Sequence, residues 1–238
     1  MVYYEPRVTQ ADKDYITLRL SQCVMKIRHD HGPYRHLRCY WPNDPIGSPY
    51  CHFDIITGLG AVTIYGNWMR TFTLRRYGDE DMLPGFCNTK ELNIDYWAEK
   101  LDMKKQAKEA AITAIDTDAF FKDVENLIKG WYIDNKYPYN NEHINRIMNT
   151  IREDVSFEDS RHPFEQLLDI PFYPDPYSYP EDMCDIINPE NTPGEHYTLE
   201  WVRTCMALQW AAQTYAAAQS YKKQKQTRRY LATQKHMT

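Results

Sequence analysis

The sequence predicts an α+β protein: an N-terminal antiparallel β-meander of about five strands, packed with C-terminal helices. Three observations carry this. From Cys23 the apolar residues alternate singly through Met25 and Ile27, then Leu37, Cys39 and Trp41, which is the period of a strand with one buried face. The connections between successive runs are short, whereas parallel crossovers need about a dozen residues or more. After Arg76 the period lengthens to that of a helix.

Residues 11–20 read as a short helix with Asp12 as N-cap. The first two strands form a hairpin turning at Asp30-His31-Gly32-Pro33. Residues 42–49 (Pro-Asn-Asp-Pro-Ile-Gly-Ser-Pro) are a loop dense in turn formers. His52–Thr57, Ala61–Tyr65 and Thr71–Arg75 complete the meander. Helices are expected at Asp79–Leu83, around Ile94–Leu101, at Asp118–Asn135 with an apolar stripe of Phe121, Val124, Leu127, Ile128 and Trp131, and at Asn141–Val155. Residues 156–195 break the regularity, with four prolines between Pro171 and Pro180. A final helix runs from about Thr198 to Lys225, with Trp201, Cys205, Leu208, Ala212 and Tyr215 inside and the last dozen residues loose.

The organisation expected is a sheet region with short helices over 1–105, then a helical region over 106–238 carrying an acidic Pro/Tyr-rich insert at 156–195, the two sharing one composite domain. The 238 residues suffice for a core without staples. Six scattered cysteines without a CxxC pair read as free thiols of a reducing cytoplasm. No run approaches the roughly 18 apolar residues that span a bilayer, and Met1–Gln10 lacks a secretory pattern. The chain is therefore expected to stay in the cytoplasm, without a membrane partner.

Net charge is −5, but it is segregated: residues 153–195 hold twelve acidic side chains and one basic, and residues 196–238 hold seven basic and one acidic. Within the acidic segment Asp169, Tyr173, Asp175, Tyr177, Tyr179, Glu181, Asp182 and Asp185 interleave carboxylates with tyrosines on a proline-stiffened stretch. Such a surface can dock a basic groove, because complementary potentials steer encounter and aromatics anchor it. The competing reading is a solvated acidic loop paired with the basic final helix.

The polar face of the predicted sheet carries Lys26, Arg28, His36, Arg38 and Arg75 beside Tyr34 and Tyr40. A basic face laced with aromatics can neutralise phosphates and stack bases. An ordinary solvated or helix-covered face, with Asp54 pairing an arginine, is the bland alternative. His29, His31, His52 and Asp54 offer imidazole and carboxylate groups suited to a metal-dependent hydrolase. Exposed turn and strand residues explain them as well, and no metal ligand is assigned. No GxSxG, GxxxxGK[ST] or GxGxxG motif occurs, so neither a catalytic residue nor a cofactor is expected. Asp79-Glu80-Asp81 reads as complementing the dipole of a helix beginning there.

The run Tyr34-Arg-His-Leu-Arg38, then Phe53-Asp-Ile-Ile-Thr57, Gly60-Ala-Val-Thr-Ile64, Gly66, Phe72–Arg75 and Asp79–Met82, continuing over Asn93–Leu101, resembles uncharacterised proteins of tailed phages and prophages. The likeness covers residues 25–101, with an echo at Glu195–Tyr215. Asn67-Trp68 departs from the pattern, where an aspartate usually follows the glycine. The resemblance implies an accessory protein in the bacterial cytoplasm that binds and disables a host or anti-phage defence complex without catalysis. Its partner would be a protein or ribonucleoprotein with a basic groove. Single-strand nucleic-acid binding by the sheet face is the alternative, and a metal-dependent hydrolase the second.

Overall fold

The computed structural model describes residues 6–42, 51–137, 140–157, 162–171, 183, 186 and 193–235. In chain order the elements are α1 (Gln10–Ser21), β1 (Val24–His31), β2 (Tyr34–Tyr40), β3 (His52–Gly58), β4 (Ala61–Gly66) and β5 (Phe72–Arg75). A π-helical turn (Met82–Cys87), α2 (Ile94–Glu99), α3 (Lys105–Ile112) and β6 (Thr113–Ile115) come next. The chain continues through α4 (Thr117–Asp134), α5 (Asn141–Asp154), α6 (Pro163–Leu168), β7 (Glu195–Tyr197) and α7 (Leu199–Lys235). Two compact units result, one from residues 9–108 and 199–238, the other from 1–8 and 109–198.

The first unit holds the sheet. Its five strands are hydrogen-bonded in chain order, all antiparallel, as the alternation predicts. Leu37, Cys39, Phe53, Ile55, Val62, Ile64, Phe72 and Leu74 form its inner face, none more than 3% exposed. α7 lies against that face, with Trp201 edge-on to Phe72 at 5.3 Å and Trp210 edge-on to Phe53 at 6.4 Å. Each such aromatic pair adds roughly 0.5–1.5 kcal/mol beyond the area it buries.

Three expectations are corrected here. The N-cap of α1 is Thr9, not Asp12: the Asp12 backbone N–H donates to the Thr9 hydroxyl, while the Asp12 carboxylate accepts the Thr9 N–H at 2.8 Å. A carboxylate three residues into a helix closes a reciprocal capping box rather than starting the helix. No α-helix begins at Asp79. Pro84 and Gly85 fall inside the next turn, which is π-helical instead. The final helix also runs ten residues further than expected, to Lys235.

β1 holds a feature the alternation conceals. Ile27 pairs with Leu37 and His29 with His36, so Arg28 and His29 together oppose one residue of β2. This β-bulge reverses the phase of the strand beyond it and turns Asp30 to the inner face, opposite Arg35. Without it, Asp30 would lie on the outer face.

The second unit is helical around a two-stranded ladder of β6 and β7. Asp116 caps α4 by accepting the Ala119 N–H at 2.8 Å. The buried stripe of α4 is Phe120, Val124, Ile128 and Tyr132, one residue out of phase with the predicted one at each end, and Leu127 is exposed. Ile144, Met148 and Ile151 of α5 and Leu167 of α6 close the same core.

Candidate nucleic-acid interface

Strand alternation sends every second residue to the sheet's outer face. Across the register, Lys26, Arg38, Asp54 and Tyr65 make one row, and His29, His36, Ile56, Thr63 and Thr73 the next. Val24, Tyr40 and His52 flank them on one side, and Arg75 lies on the far strand opposite Ala61. The five residues that the sequence marks as a basic face, Lys26, Arg28, His36, Arg38 and Arg75, are thus brought to one surface with Tyr34 and Tyr40. Its cations run from β1 to β5, a width of roughly 19 Å at the usual strand spacing. The surface is open: Lys26, Arg28, His29, His31 and Tyr34 are exposed, as are Ile56 and Arg75.

Asp54, which the sequence marks as a partner for an arginine and as one of four groups suited to a metal-dependent hydrolase, sits at the centre of this face. Its side chain is 3% exposed. His36 Nε2 is 2.7 Å from Oδ1, while Arg38 Nη1 and His52 Nε2 each stand 3.6 Å from Oδ2. A carboxylate so nearly removed from water is costly unless cations and hydrogen bonds surround it, and the two strands deliver them. The backbone N–H of His52 also donates to Asn67 Oδ1 at 2.8 Å, tying β3 to the loop after β4. Gly66 allows that approach, since a Cβ there would stand 2.4 Å from the His52 carbonyl oxygen.

At the β5 edge the face continues into a cleft of about 640 Å³ lined by Arg75, Arg76, Tyr77, Tyr96, Lys100 and Asp102. Tyr77 is fully exposed there, and the Lys100 ammonium lies 4.6 Å from the centre of the Tyr96 ring. The cleft sets two tyrosine rings beside three cations, each paired with a carboxylate: Arg75 with Asp102, Arg76 with Glu80 and Lys100 with Glu99.

The other candidate residues are placed differently. β2 runs between β1, which carries His29 and His31, and β3, which carries His52 and Asp54. Among the described residues no three His, Cys, Asp or Glu side chains are gathered to hold a metal. Asp169 is exposed at the C-cap of α6. Tyr173, Asp175, Tyr177, Tyr179, Glu181, Asp182 and Asp185 lie outside the described residues, as does the loop 43–50. The carboxylates of 79–81 do not serve a helix dipole: Asp81 forms a bidentate pair with Arg35 at 2.6 and 2.7 Å, and Glu80 pairs with Arg76.

On the inner face Cys39 shares a hydrogen bond with Cys23, and that contact, then burial, raises its pKa. It is a structural thiol, held protonated. No described helix is long and apolar enough to cross a membrane. Compared with known proteins, the chain matches no family model, no curated sequence and no solved structure.

Proposed function

We propose that this chain binds single-stranded nucleic acid across the outer face of its five-stranded sheet. One observation carries the reading: α7 covers the apolar face, while the opposite face keeps Lys26, Arg28, Arg38 and Arg75 in the open or half-open, interleaved with Tyr34, Tyr40 and Tyr65. An open sheet face with aromatic side chains and cations suits a single strand better than a duplex, whose bases are already stacked. The likeness to tailed-phage proteins sets this activity in an infected bacterium.

The test is a fluorescence-anisotropy titration of a labelled 2′-deoxy oligonucleotide at two salt concentrations. With three or four phosphate contacts, raising salt from 50 to 200 mM weakens binding by about 20- to 50-fold, and removing one contact through Arg38→Glu or Lys26→Glu lowers the log–log salt slope by about 0.7. No complex below millimolar concentration at low salt overturns the reading.

A second reading is supported by the charge segregation of residues 153–195. In it the protein is an accessory factor docking a basic groove of a host or defence complex through Asp175, Glu181, Asp182 and Asp185. Charge reversal at these four positions then weakens a salt-sensitive complex captured from infected cells, and unchanged capture refutes it.

A further inference from the structure

We infer that the outer face cleaves RNA as well as binding it, by transesterification, with His36 as proton acceptor and His52 as proton donor. The inference rests on the strand-binding reading above and concerns the same face.

Asp54 is the starting point. Its row neighbours on the open face, Lys26, Arg38 and Tyr65, are at least partly exposed, whereas its own side chain is 3% exposed. A buried carboxylate hydrogen-bonded to an imidazole orients the ring and fixes its tautomer, and Asp54 stands in that relation to His36. A carboxylate only accepts hydrogen bonds, so at 2.7 Å it fixes the proton on His36 Nε2 and leaves the lone pair on Nδ1. The ring is 37% exposed, so it reaches solvent and substrate. His52 converges on the other carboxylate oxygen at 3.6 Å.

The face has a proton acceptor but no serine or cysteine among its described residues. Cys39 belongs to the inner face, and the hydroxyls of Thr63 and Thr73 hydrogen-bond each other at 2.9 Å. A nucleophile carried by the substrate would need nothing from the face beyond that acceptor. In RNA the 2′-hydroxyl stands next to the phosphodiester, and a basic, aromatic face would present it.

The step balances without a co-reactant. Nδ1 of His36 takes the 2′-hydroxyl proton as the 2′-oxygen bonds to phosphorus. The bond from phosphorus to the 5′-oxygen breaks, and that oxygen takes a proton from protonated His52. The products are a 2′,3′-cyclic phosphate and a 5′-hydroxyl, after which the two rings exchange one proton with solvent. Arg38, 3.6 Å from Asp54, and Lys26, its cross-strand partner, supply positive charge where negative charge grows on the phosphoryl oxygens.

The experiment incubates the full chain, with a chelator present, with a single-stranded RNA and a 2′-deoxy strand of the same sequence. The expected result is RNA fragments ending in 2′,3′-cyclic phosphate, while the deoxy strand is bound and left whole. At saturating RNA, where weaker binding does not enter, His36→Gln lowers kcat by about 100-fold or more, and the isosteric Asp54→Asn lowers it while circular dichroism stays native. RNA bound but intact overturns the inference and leaves strand binding standing. So does cleavage that the chelator stops, or that His36→Gln performs at the parent rate. Failure of both strands to bind overturns the two readings together.

Discussion

Tyr215 donates its phenolic hydrogen to the Asp30 carboxylate at 2.7 Å, across 185 residues of chain. Gln219, one helical turn on, donates to the other oxygen at 2.7 Å. The same tyrosine ring lies 4.9 Å beneath the Arg35 guanidinium, which is 7% exposed and held by Asp81 on one side and Asp30 on the other. α7 is thus keyed to the sheet by a charged network around the buried Arg35 and Tyr215 as well as by apolar packing. Burial, and next the hydrogen bond to Asp30, raise the Tyr215 pKa, so the phenol remains a donor.

The network ranks two substitutions. Tyr215→Phe removes one hydrogen bond and is expected to cost about 1 kcal/mol. Asp81→Ala deprives a buried guanidinium of its bidentate partner, with expected destabilisation of about 2–3 kcal/mol, moderated because Asp30 remains 3.5 Å from Arg35. Urea unfolding measures both, and equal midpoints for the two variants would contradict the ranking.

The bulge gives a sharper contrast at one position. Arg28→Ala keeps the backbone and should change stability by less than about 0.5 kcal/mol. Deleting Arg28 restores plain alternation, sends Asp30 to the outer face and separates it from Tyr215 and Arg35. The deletion should destabilise at least as much as Asp81→Ala, and a deletion variant as stable as Arg28→Ala would show that the register adjusts at no cost.

Asp116 couples the helical unit to acid. The Ala119 N–H, followed by the Arg7 N–H, lowers its pKa below the ordinary 3.8. A carboxylate whose folded pKa is depressed contributes stability that is full above its unfolded pKa and is lost as pH falls through the folded value. Asp116→Ala should cost about 1 kcal/mol at neutral pH as a lost cap. Its melting temperature should approach that of the parent as pH drops below 3.8, and a constant gap between neutral and strongly acidic pH would exclude this.

The thiols divide by burial. Cys87 is pushed up to about 12, by burial first and then by Glu80, and burial raises Cys205 well above its ordinary 9.0. Alkylation of the native protein at mildly alkaline pH, read by mass spectrometry of peptides, should leave both unmodified until denaturant is added. Rapid native labelling of either would place it nearer solvent than the fold does.

The meander was legible because its inner residues alternate without a gap through four of the five strands. The bulge was not, since one extra residue at Arg28 leaves composition and polarity unchanged and shows only when pairing partners are known. In α4 the doublets Phe120-Phe121 and Trp131-Tyr132 let two adjacent faces look equally apolar, and the core selected the first residue of one and the second of the other. The basic face could be read from alternation alone. Asp54 as an arginine's partner could be read as well, but its burial could not, because a carboxylate on a polar face looks solvated until the surrounding side chains are in place.

The cover for the sheet is also its latest arrival. The strands end at Arg75 and the helix that shields them begins at Leu199, so about 120 residues must be synthesised between them. At about 5–20 residues per second, the apolar side of the meander waits some 6–25 s on the ribosome for its lid. In that interval Phe53, Ile55, Ile64 and Leu74 are a surface for chaperones to hold, and emergence of α7 becomes the event that commits the sheet to its native partner.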